Sequence, residues 1–298
     1  MREFASFAQG LTRILSRDPG RRGLLASLPP PDLAKAAETL TKARRVLIVA
    51  GFPVACRGVG ETDGPVGAAH IAHGLTALGK GVLAITDRWS GPLLQAACAC
   101  RAPEARVGIL PQRGAAEACR RLMEREQPDL VIAIERPGKG RDGHFHNMRG
   151  QVVDHLIADT DLLLALAPCS MAVGDGGNEL GMGAFAQQIC AGVPQGALIC
   201  ADLAADIPLA AGVSNWWGWG VEALLSFCSG RALLPSDQEE AEILARVVAA
   251  GGVDGVTGRQ ELTVDGLSLE ENLEVLRQVR KLLAEQRTEG WNWKGAQS

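Results

Sequence analysis

The amino-acid sequence predicts an α/β fold, in which a doubly wound, mainly parallel sheet of the Rossmann-like, three-layer kind is followed by a helical C-terminal part. Short apolar runs rich in β-branched residues alternate with helical patterns through the first two thirds of the chain. This alternation is typical of βαβ units in a parallel sheet. The last third of the chain is mostly helical in pattern, so we expect one large domain.

The elements are predicted in chain order from apolar periodicity and from the residues that begin and end helices. Residues 1–30 are expected to form an N-terminal surface arm with a helix over residues 3–15, and residues 31–298 a single α/β domain. Pro65 suits the first turn of a helix over residues 65–78. The predicted strands are residues 45–51, 82–86, 106–110, 129–134, 162–166 or the run just after it, and 196–201. The other helices are predicted over residues 31–41, 91–100, 115–127, 151–158, 180–191 and 218–228.

Two capping boxes mark helix starts in the C-terminal part. Ser236 is followed three residues later by Glu239, and Ser268 by Glu271. In such a pair each side chain bonds the backbone of the other residue. We therefore expect these acids to have a structural role.

Composition excludes several classes of protein. The chain has 298 residues and a net charge of −4, which gives no support for a nucleic-acid partner. No apolar run reaches the roughly 18 residues needed to cross a bilayer, and residues 1–4 lack the apolar core of a signal peptide. The eight cysteines are scattered, as in a protein of a reducing compartment. These features predict a cytoplasmic protein, for which the N-terminal arm is a candidate contact in a homo-oligomer.

Acidic residues collect where the predicted strands end. In an open parallel sheet, ligands bind at the carboxyl ends of the strands. A bare carboxylate cluster would repel itself, and a divalent cation relieves that repulsion. Oxygen-only ligands favour Mg²⁺, Mn²⁺ or Ca²⁺; the alternative is that each acid caps a helix or pairs with an arginine. The acids concerned are Glu61, Asp63, Asp87, Glu135, Asp175, Glu179 and Asp202.

Two further stretches carry polar groups suited to a binding site. Residues 135–150 combine glycines with four basic side chains, and Arg149 there is suited to gripping a carboxylate or phosphate. His144 and His146 in this loop are candidates for proton transfer or are simply exposed loop histidines. Residues 212–220 hold three tryptophans, which either wall the pocket beside Asn215 or pack the helical part onto the sheet.

Several nucleotide-binding and hydrolase motifs are absent. The chain has no G-x-x-x-x-G-K-[ST] segment and no G-x-G-x-x-G at a strand–helix junction, so no nucleotide cofactor is expected. It also has no G-x-S-x-G elbow of an α/β-hydrolase.

Six segments, in the same order, resemble the D-glutamate cyclase C-terminal domain family. They are residues 61–68 (ETDGPVGA), 135–138 (ERPG), 147–150 (NMRG), 174–183 (GDGGNELGMG), 213–216 (VSNW) and 253–258 (VDGVTG). The resemblance covers residues 43–267 and implies an α/β fold. Through a mitochondrial member it also implies conversion of D-glutamate to 5-oxo-D-proline and water. That member carries an additional N-terminal domain resembling a hydro-lyase, which is not expected in this chain.

The residues and the resemblance together suggest a metal-dependent lyase acting on a small anionic substrate, with Mg²⁺ or Mn²⁺ as the cofactor. One alternative is a metal-dependent hydrolase or phosphatase of a small phosphorylated molecule, and another is a non-catalytic binding module that acts with a separate hydro-lyase. The predicted metal ligands are Asp63, Glu135, Asp175 and Glu179. The predicted catalytic residues are Glu61 and Asp142, and the predicted substrate-binding residues are Asn147, Arg149, Asn178 and Asn215.

Overall fold

A parallel sheet forms the centre of the molecule in the computed structural model, which describes residues 2–287. Within these residues the central sheet has six strands, which are β1 (Arg45–Ala50), β4 (Gly81–Asp87), β5 (Arg106–Leu110), β6 (Leu130–Ile134), β7 (Ser170–Gly174) and β8 (Ile207–Ala210). Their order across the sheet is β5-β4-β1-β6-β7-β8. All neighbouring strands in it are parallel. Two small hairpins lie outside it, β2 (Pro53–Val54) with β3 (Val59–Gly60), and β9 (Thr263–Val264) with β10 (Leu267–Ser268).

The strand order confirms the predicted doubly wound fold. From β1 the chain winds outward through β4 and β5, then returns to the other side of β1 and winds through β6, β7 and β8. The winding direction reverses between β1 and β6, and a crevice opens at such a switch point beyond the carboxyl ends of the strands. The helices are α1 (Arg2–Leu15), α2 (Leu33–Lys42), α3 (Pro65–Ala77), α4 (Gly91–Arg101), α5 (Ala115–Glu126), α6 (Asp161–Ala165), α7 (Ala186–Gly192), α8 (Gly196–Ile199), α9 (Trp216–Ser229), α10 (Asp237–Ala249) and α11 (Leu269–Arg287).

Strand β1 shows how the sequence produces three layers. Val46 and Ile48 belong to one apolar core, and Leu47 and Val49 belong to a second core on the opposite face of the sheet. Successive side chains of a strand point to opposite faces, so a continuous apolar run suits a strand covered on both sides. The first core lies beneath α3, α4, α9 and α10, and the second beneath α5, α6 and α7.

The helix boundaries follow the expected local chemistry. Pro65 begins α3 after Gly64, whose φ is +94°. Ser236 and Glu239 form the predicted capping box at α10. At α11 the hydroxyl of Ser268 donates to Glu271, and the backbone N–H of Glu271 donates back to that hydroxyl. Both capping predictions are confirmed.

For the fifth strand the second of the two predicted positions is correct, since residues 162–166 lie mainly in helix α6 and the strand is the run just after them, β7. Three other elements differ from the sequence-based expectation. Residues 196–201 contain helix α8 rather than a strand, and the last strand of the central sheet is β8. Residues 151–158 contain only a 3₁₀ turn at Asp154–Leu156, and the helix predicted from residue 180 begins as a 3₁₀ turn at Gly183–Phe185. Short apolar runs fit either a strand or a buried helix, so periodicity alone could not separate them.

The N-terminal helix is part of the apolar core and does not lie as a surface arm. Phe7, Leu11 and Leu15 are fully buried, and the ring of Phe7 stacks on that of Phe227 in α9 with centroids 4.6 Å apart. These side chains recur at helical spacing, so they form one apolar face of α1. The boundary at residue 30 stays a prediction, and the last residues of the predicted domain, 288–298, lie outside the described residues.

In residues 2–287, we find no helix with the length and apolar character that crossing a membrane requires.

A buried ionic network joins α3 to the helices packed against it. His70 of α3 is fully buried, with Nε2 2.7 Å from Glu240 of α10 and Nδ1 3.3 Å from Glu222 of α9. Burial by itself lowers the pKa of His70, but the two carboxylates outweigh it and raise the pKa to about 9. Glu222 also pairs with His73 of α3 and Arg101 of α4.

The network makes stability depend on pH. The pKa of His70 is higher in the folded protein than its ordinary value of 6.5, so its contribution is fully present below that value and is lost as pH rises through about 9. We expect His70→Gln to lower the free energy of unfolding by about 3 kcal/mol at acidic to neutral pH, and the difference to shrink towards pH ~9.5.

Urea denaturation of the wild-type protein and of His70→Gln across this pH range measures the difference in their free energies of unfolding. The control is His144→Gln, since the side chain of His144 is exposed and pairs only with the half-buried Asp154 among the described residues. A difference between wild type and His70→Gln that is independent of pH would contradict the assignment.

Candidate functional site

Three carboxylates meet at the switch point of the sheet. Asp63 lies in the loop after β1, Glu135 directly follows β6, and Asp175 directly follows β7. One oxygen from each lies within 4.8 Å of the others, and all three residues are buried. Their positions therefore agree with the prediction that these acids gather at the carboxyl edge of the sheet.

Asp63 is fixed between two helix N-termini. Its carboxylate accepts hydrogen bonds from the backbone N–H groups of Gly64 at 3.0 Å, Ser214 at 3.0 Å and Asn215 at 2.7 Å. Gly64 precedes α3, and Ser214 and Asn215 precede α9, so the positive ends of both helix dipoles face this carboxylate.

Glu135 lies in a strained conformation at the end of β6. Its φ is +41°, a left-handed value that costs a non-glycine residue roughly 1 kcal/mol or more. The Ser214 hydroxyl donates to its carboxylate at 2.6 Å. Gly64 packs against it so closely that a Cβ there would lie 2.8 Å from the Glu135 Cβ, which explains why glycine stands at this turn.

Two residues that the sequence analysis missed complete the charge cluster. The guanidinium of Arg22 forms ion pairs with Asp175 and, at 3.0 Å, with Asp265. Asp265 and Gly266 form the turn between β9 and β10 with φ values of +55° and +77°. An Asp-Gly pair between short strands is a signal for such a hairpin and could have located Asp265. Arg22 has no comparable sequence signal.

Glu61 brings a further carboxylate to the same pocket. It is 9% exposed, and its side chain passes so close to Gly255 that any Cβ there would collide with Oε2. Burial, together with the charges of Asp265 and Asp63, raises its pKa well above the usual value. Such a carboxyl group is suited to proton transfer.

Burial dominates the electrostatics of the other acids as well. Burial and the charge of Asp265 raise the pKa of Asp63 to about 8, against the opposing effect of its backbone hydrogen bonds. Burial raises the pKa of Asp175 to about 7, although Arg22 opposes it. The pKa of Glu135 is raised well above normal by burial and by Asp175. Charges removed from water favour a bound cation or protonation.

The chemistry of the donor set fits a divalent cation. The three converging groups are all carboxylates, the ligand type that hard cations prefer. Asp175 is 5% exposed, and its Oδ2 has no hydrogen-bond partner among the described residues. An orphaned buried oxygen is costly unless something satisfies it. Asp63, Glu135 and Asp175 can therefore hold a metal ion.

Glu179, the fourth predicted ligand, is held by its own loop. Its carboxylate accepts hydrogen bonds from the N–H groups of Asp175 at 3.3 Å, Gly176 at 2.7 Å and Gly177 at 2.7 Å. A Cβ at Gly174 would lie 2.5 Å from Glu179 Oε2. The glycines of residues 174–177 thus let the loop wrap this carboxylate, and Glu179 is not one of the three that converge.

The predicted substrate-binding and proton-transfer residues are only partly brought together. Asn147, Arg149 and Asn178 line the same pocket as the acids. Asn215 does not, since its amide oxygen accepts from Gly64 and Gly67 and its NH₂ donates to Thr62. Asp142 lies outside the pocket, where its exposed carboxylate pairs with His146.

Two acids expected at the carboxyl edge do not line the acidic pocket. Asp87 is the last residue of β4 and so lies at that edge, but it is buried against Arg136, whose guanidinium donates to it at 2.7 Å. Asp202 is largely exposed and follows helix α8 instead of a strand. Asp87 thus follows the alternative prediction, in which an acid pairs with an arginine. Asp202 lies elsewhere because the strand predicted before it is helix α8.

The tryptophans of residues 216–219 pack the core rather than wall the pocket. Trp216, Trp217 and Trp219 are each 1% exposed. Their indole N–H groups donate to Asn272, to the carbonyl of Ala210 and to Glu240, respectively. The packing interpretation of this stretch is therefore confirmed.

The pocket above the acids has a volume of about 410 Å³. Its base carries the carboxylates, and its walls include apolar side chains such as Phe52, Met148 and Val256. The Arg57 guanidinium donates to the carbonyl of Gly258 at 2.8 Å, which joins the β2–β3 hairpin to the loop after α10. The volume suits a small polar molecule rather than a polymer.

Comparison with known proteins is consistent with this geometry. Residues 11–280 match the family described as D-glutamate cyclase-like, C-terminal. The chain is similar to human mitochondrial D-glutamate cyclase, with 32% identity over 301 residues, covering 86% of this chain and 48% of that protein. The chain thus spans about half the length of this curated relative. It belongs to the D-glutamate cyclase-like, C-terminal family.

Proposed function

We propose that this chain is a metal-dependent lyase that converts D-glutamate, or a related amino dicarboxylate, to 5-oxo-D-proline and water. Family membership supports a cyclase-like reaction. The observation that carries the proposal is the buried convergence of Asp63, Glu135 and Asp175 beneath a pocket that Arg149 also lines. Such a pocket pairs a cation site with a group that binds anions.

The reaction joins two groups of one substrate molecule. The amine nitrogen attacks the side-chain carboxyl carbon, so one C–N bond forms and one C–O bond breaks. The nitrogen loses two protons from its ammonium form, and the departing oxygen takes up two protons and leaves as water. The site must therefore move protons from nitrogen to oxygen while it holds the chain in a bent conformation.

Glu61 is the carboxyl group best placed for this proton transfer. It lines the pocket beside Asp265 and Asp175, and its raised pKa lets it hold a proton that an ordinary glutamate would release. It transfers the two protons one after the other, each time donating a proton to the departing oxygen and then accepting one from the nitrogen. Asp142, the other candidate, lies outside the pocket and is left out of this scheme.

Other groups that line the pocket bind the substrate. Arg149 pairs with a substrate carboxylate, and the amide of Asn178 orients the polar groups of the substrate. Asn147 holds the backbone beside Arg149, because its amide oxygen accepts from the N–H groups of Arg149 and Gln151. Asn178 is held in place because its NH₂ donates to the carbonyl of His146 at 2.8 Å. The apolar side chains of Phe52 and Met148 exclude water from the bent carbon chain.

Asp63, Glu135 and Asp175 would hold Mg²⁺ or Mn²⁺, the hard cations that carboxylate oxygens favour. When bound, the ion supplies Lewis-acid polarisation of the carboxyl group under attack. Its charge also offsets the repulsion among the buried carboxylates.

A second candidate function is a small-molecule and metal-binding module that works with a separate hydro-lyase. Residues 11–280 match a family described as C-terminal, and that match does not by itself assign the chemical step to this part of the fold. Calorimetry that detects binding of D-glutamate to a protein without turnover would support it over the cyclase.

The first prediction of the proposal concerns turnover. With Mn²⁺ and D-glutamate, the purified protein should form 5-oxoproline, detected by mass spectrometry. Glu61→Gln should lower kcat about 100-fold or more while KM changes little, because the substitution removes proton transfer but keeps the side-chain shape. Glu117→Gln is the control, since Glu117 is exposed on α5 and pairs with Arg121. Wild-type protein that binds Mn²⁺ but makes no 5-oxoproline would reject the cyclase assignment.

The second prediction concerns the metal. Asp175→Asn should weaken Mn²⁺ binding, measured by calorimetry, by about 10-fold or more, because it removes one of three converging charges. Asp202→Asn makes the same chemical change at a largely exposed site and should leave the affinity unaltered. Equal Mn²⁺ affinity in both variants would exclude Asp175 as a ligand. Thermal melts of each variant check that the fold is retained.

A further inference from the structure

Arg22 supplies a positive charge to the acidic pocket from a distant part of the sequence. It lies between α1 and α2, whereas its partners Asp175 and Asp265 follow β7 and β9. Its side chain is 18% exposed and lines the pocket. The same Asp175 that pairs with Arg22 is one of the three carboxylates that converge.

The turn that carries Arg22 is built to hold it there. The carboxylate of Asp18 accepts hydrogen bonds from the backbone N–H groups of Arg22 at 3.2 Å and Gly23 at 3.4 Å. The φ of Gly23 is +85°, and a Cβ there would lie 2.5 Å from the carbonyl oxygen of Gly192. Leu24, the next residue, is fully buried in the second core. The position of Arg22 is thus set by backbone packing on both sides.

Arg22 and a divalent metal ion would compete for the carboxylate of Asp175. Five carboxylates line the pocket, those of Glu61, Glu135, Asp175, Glu179 and Asp265. The guanidinium of Arg22 forms ion pairs with two of them, Asp175 and Asp265. A metal ion bound to Asp175 would lie about 2.0–2.6 Å from a carboxylate oxygen. A guanidinium on that same carboxylate would then meet strong repulsion in a poorly solvated site. Asp175 Oδ2 receives no hydrogen bond from an N–H or hydroxyl group of the described residues. Its side chain lies within hydrogen-bond reach of the Asp265 carboxyl group, and a bound cation would relieve the repulsion between these two acids.

We propose that Arg22 is the resident counter-ion of the acidic pocket and that a divalent metal ion displaces its guanidinium from Asp175. Arg22 is thereby a positioning residue. It holds Asp175 and Asp265 in place before the metal binds, and it sets the metal affinity of the site. The inference rests on the metal site of the proposed function but not on the D-glutamate reaction.

Chemical labelling of arginines tests the displacement directly. Phenylglyoxal modifies accessible guanidinium groups, and peptide mass spectrometry measures the extent at each residue. Addition of saturating Mn²⁺ to the wild-type protein should increase modification of Arg22 several-fold. Two internal references are available, because Arg121 is exposed and does not line the acidic pocket, and Arg136 is fully buried; neither should change. Unchanged or slower modification of Arg22 with Mn²⁺ would overturn the proposal.

Calorimetry with Mn²⁺ tests the competition independently. Arg22→Gln should bind Mn²⁺ about tenfold more tightly than wild type, since the competing charge is gone. Arg21→Gln is the matched control, because Arg21 is the exposed neighbour and loses the same charge. Arg22→Lys, which keeps the charge but lacks the planar fork that bridges both acids, should give an intermediate affinity.

Equal or weaker affinity in Arg22→Gln, or no binding of Mn²⁺ to either protein, would overturn the proposal. Neither experiment contains D-glutamate, so its outcome is separate from that of the cyclase assay. Arg22→Lys also protects the test against loss of folding, because it retains a cation between Asp175 and Asp265.

Discussion

The burial of mutually repelling carboxylates is the constraint on which the rest of this structure depends. Glu61, Asp63, Glu135, Asp175 and Asp265 are all nearly removed from water, and burial is the largest cause of each raised pKa. A fold tolerates such a cluster only if other groups compensate for the lost solvation. Here the compensation comes from helix N-termini, backbone N–H groups and one guanidinium.

The topology of the doubly wound sheet places the helix N-termini and backbone N–H groups beside the acids. Because the winding reverses between β1 and β6, the loops that follow these strands diverge and leave room for side chains to meet. The N-termini of α3 and α9 converge on Asp63 from two sides. Asn215 links them, since its amide oxygen accepts from Gly64 and Gly67 at the start of α3. Asn215, which the sequence analysis predicted to bind the substrate, therefore helps to hold Asp63 in place.

Local sequence patterns predicted the parts of the fold that depend on neighbouring residues. The strand at Arg45–Ala50, the start of α3 at Pro65 and both capping boxes were correct because each is set within a few residues. The prediction was wrong where a short apolar run could serve two structures, as in α8. The acids Asp63, Glu135 and Asp175 could be grouped from sequence because parallel strands end at one edge.

Arg22 and Asp265 could not be grouped in this way, since neither follows a strand of the central sheet. Their meeting depends on long-range packing, in which α1 lies against α9 and α11 and the β9–β10 hairpin precedes α11. Both residues fall within the family match at residues 11–280, whereas the six recognisable segments lie between residues 61 and 258 and include neither of them. Residues 1–30 therefore contribute a charged side chain, that of Arg22, to the site at the edge of the sheet. Residues 1–30 contain none of the residues of that sheet, yet they supply both the buried apolar face of α1 and the cation that pairs with Asp175 and Asp265.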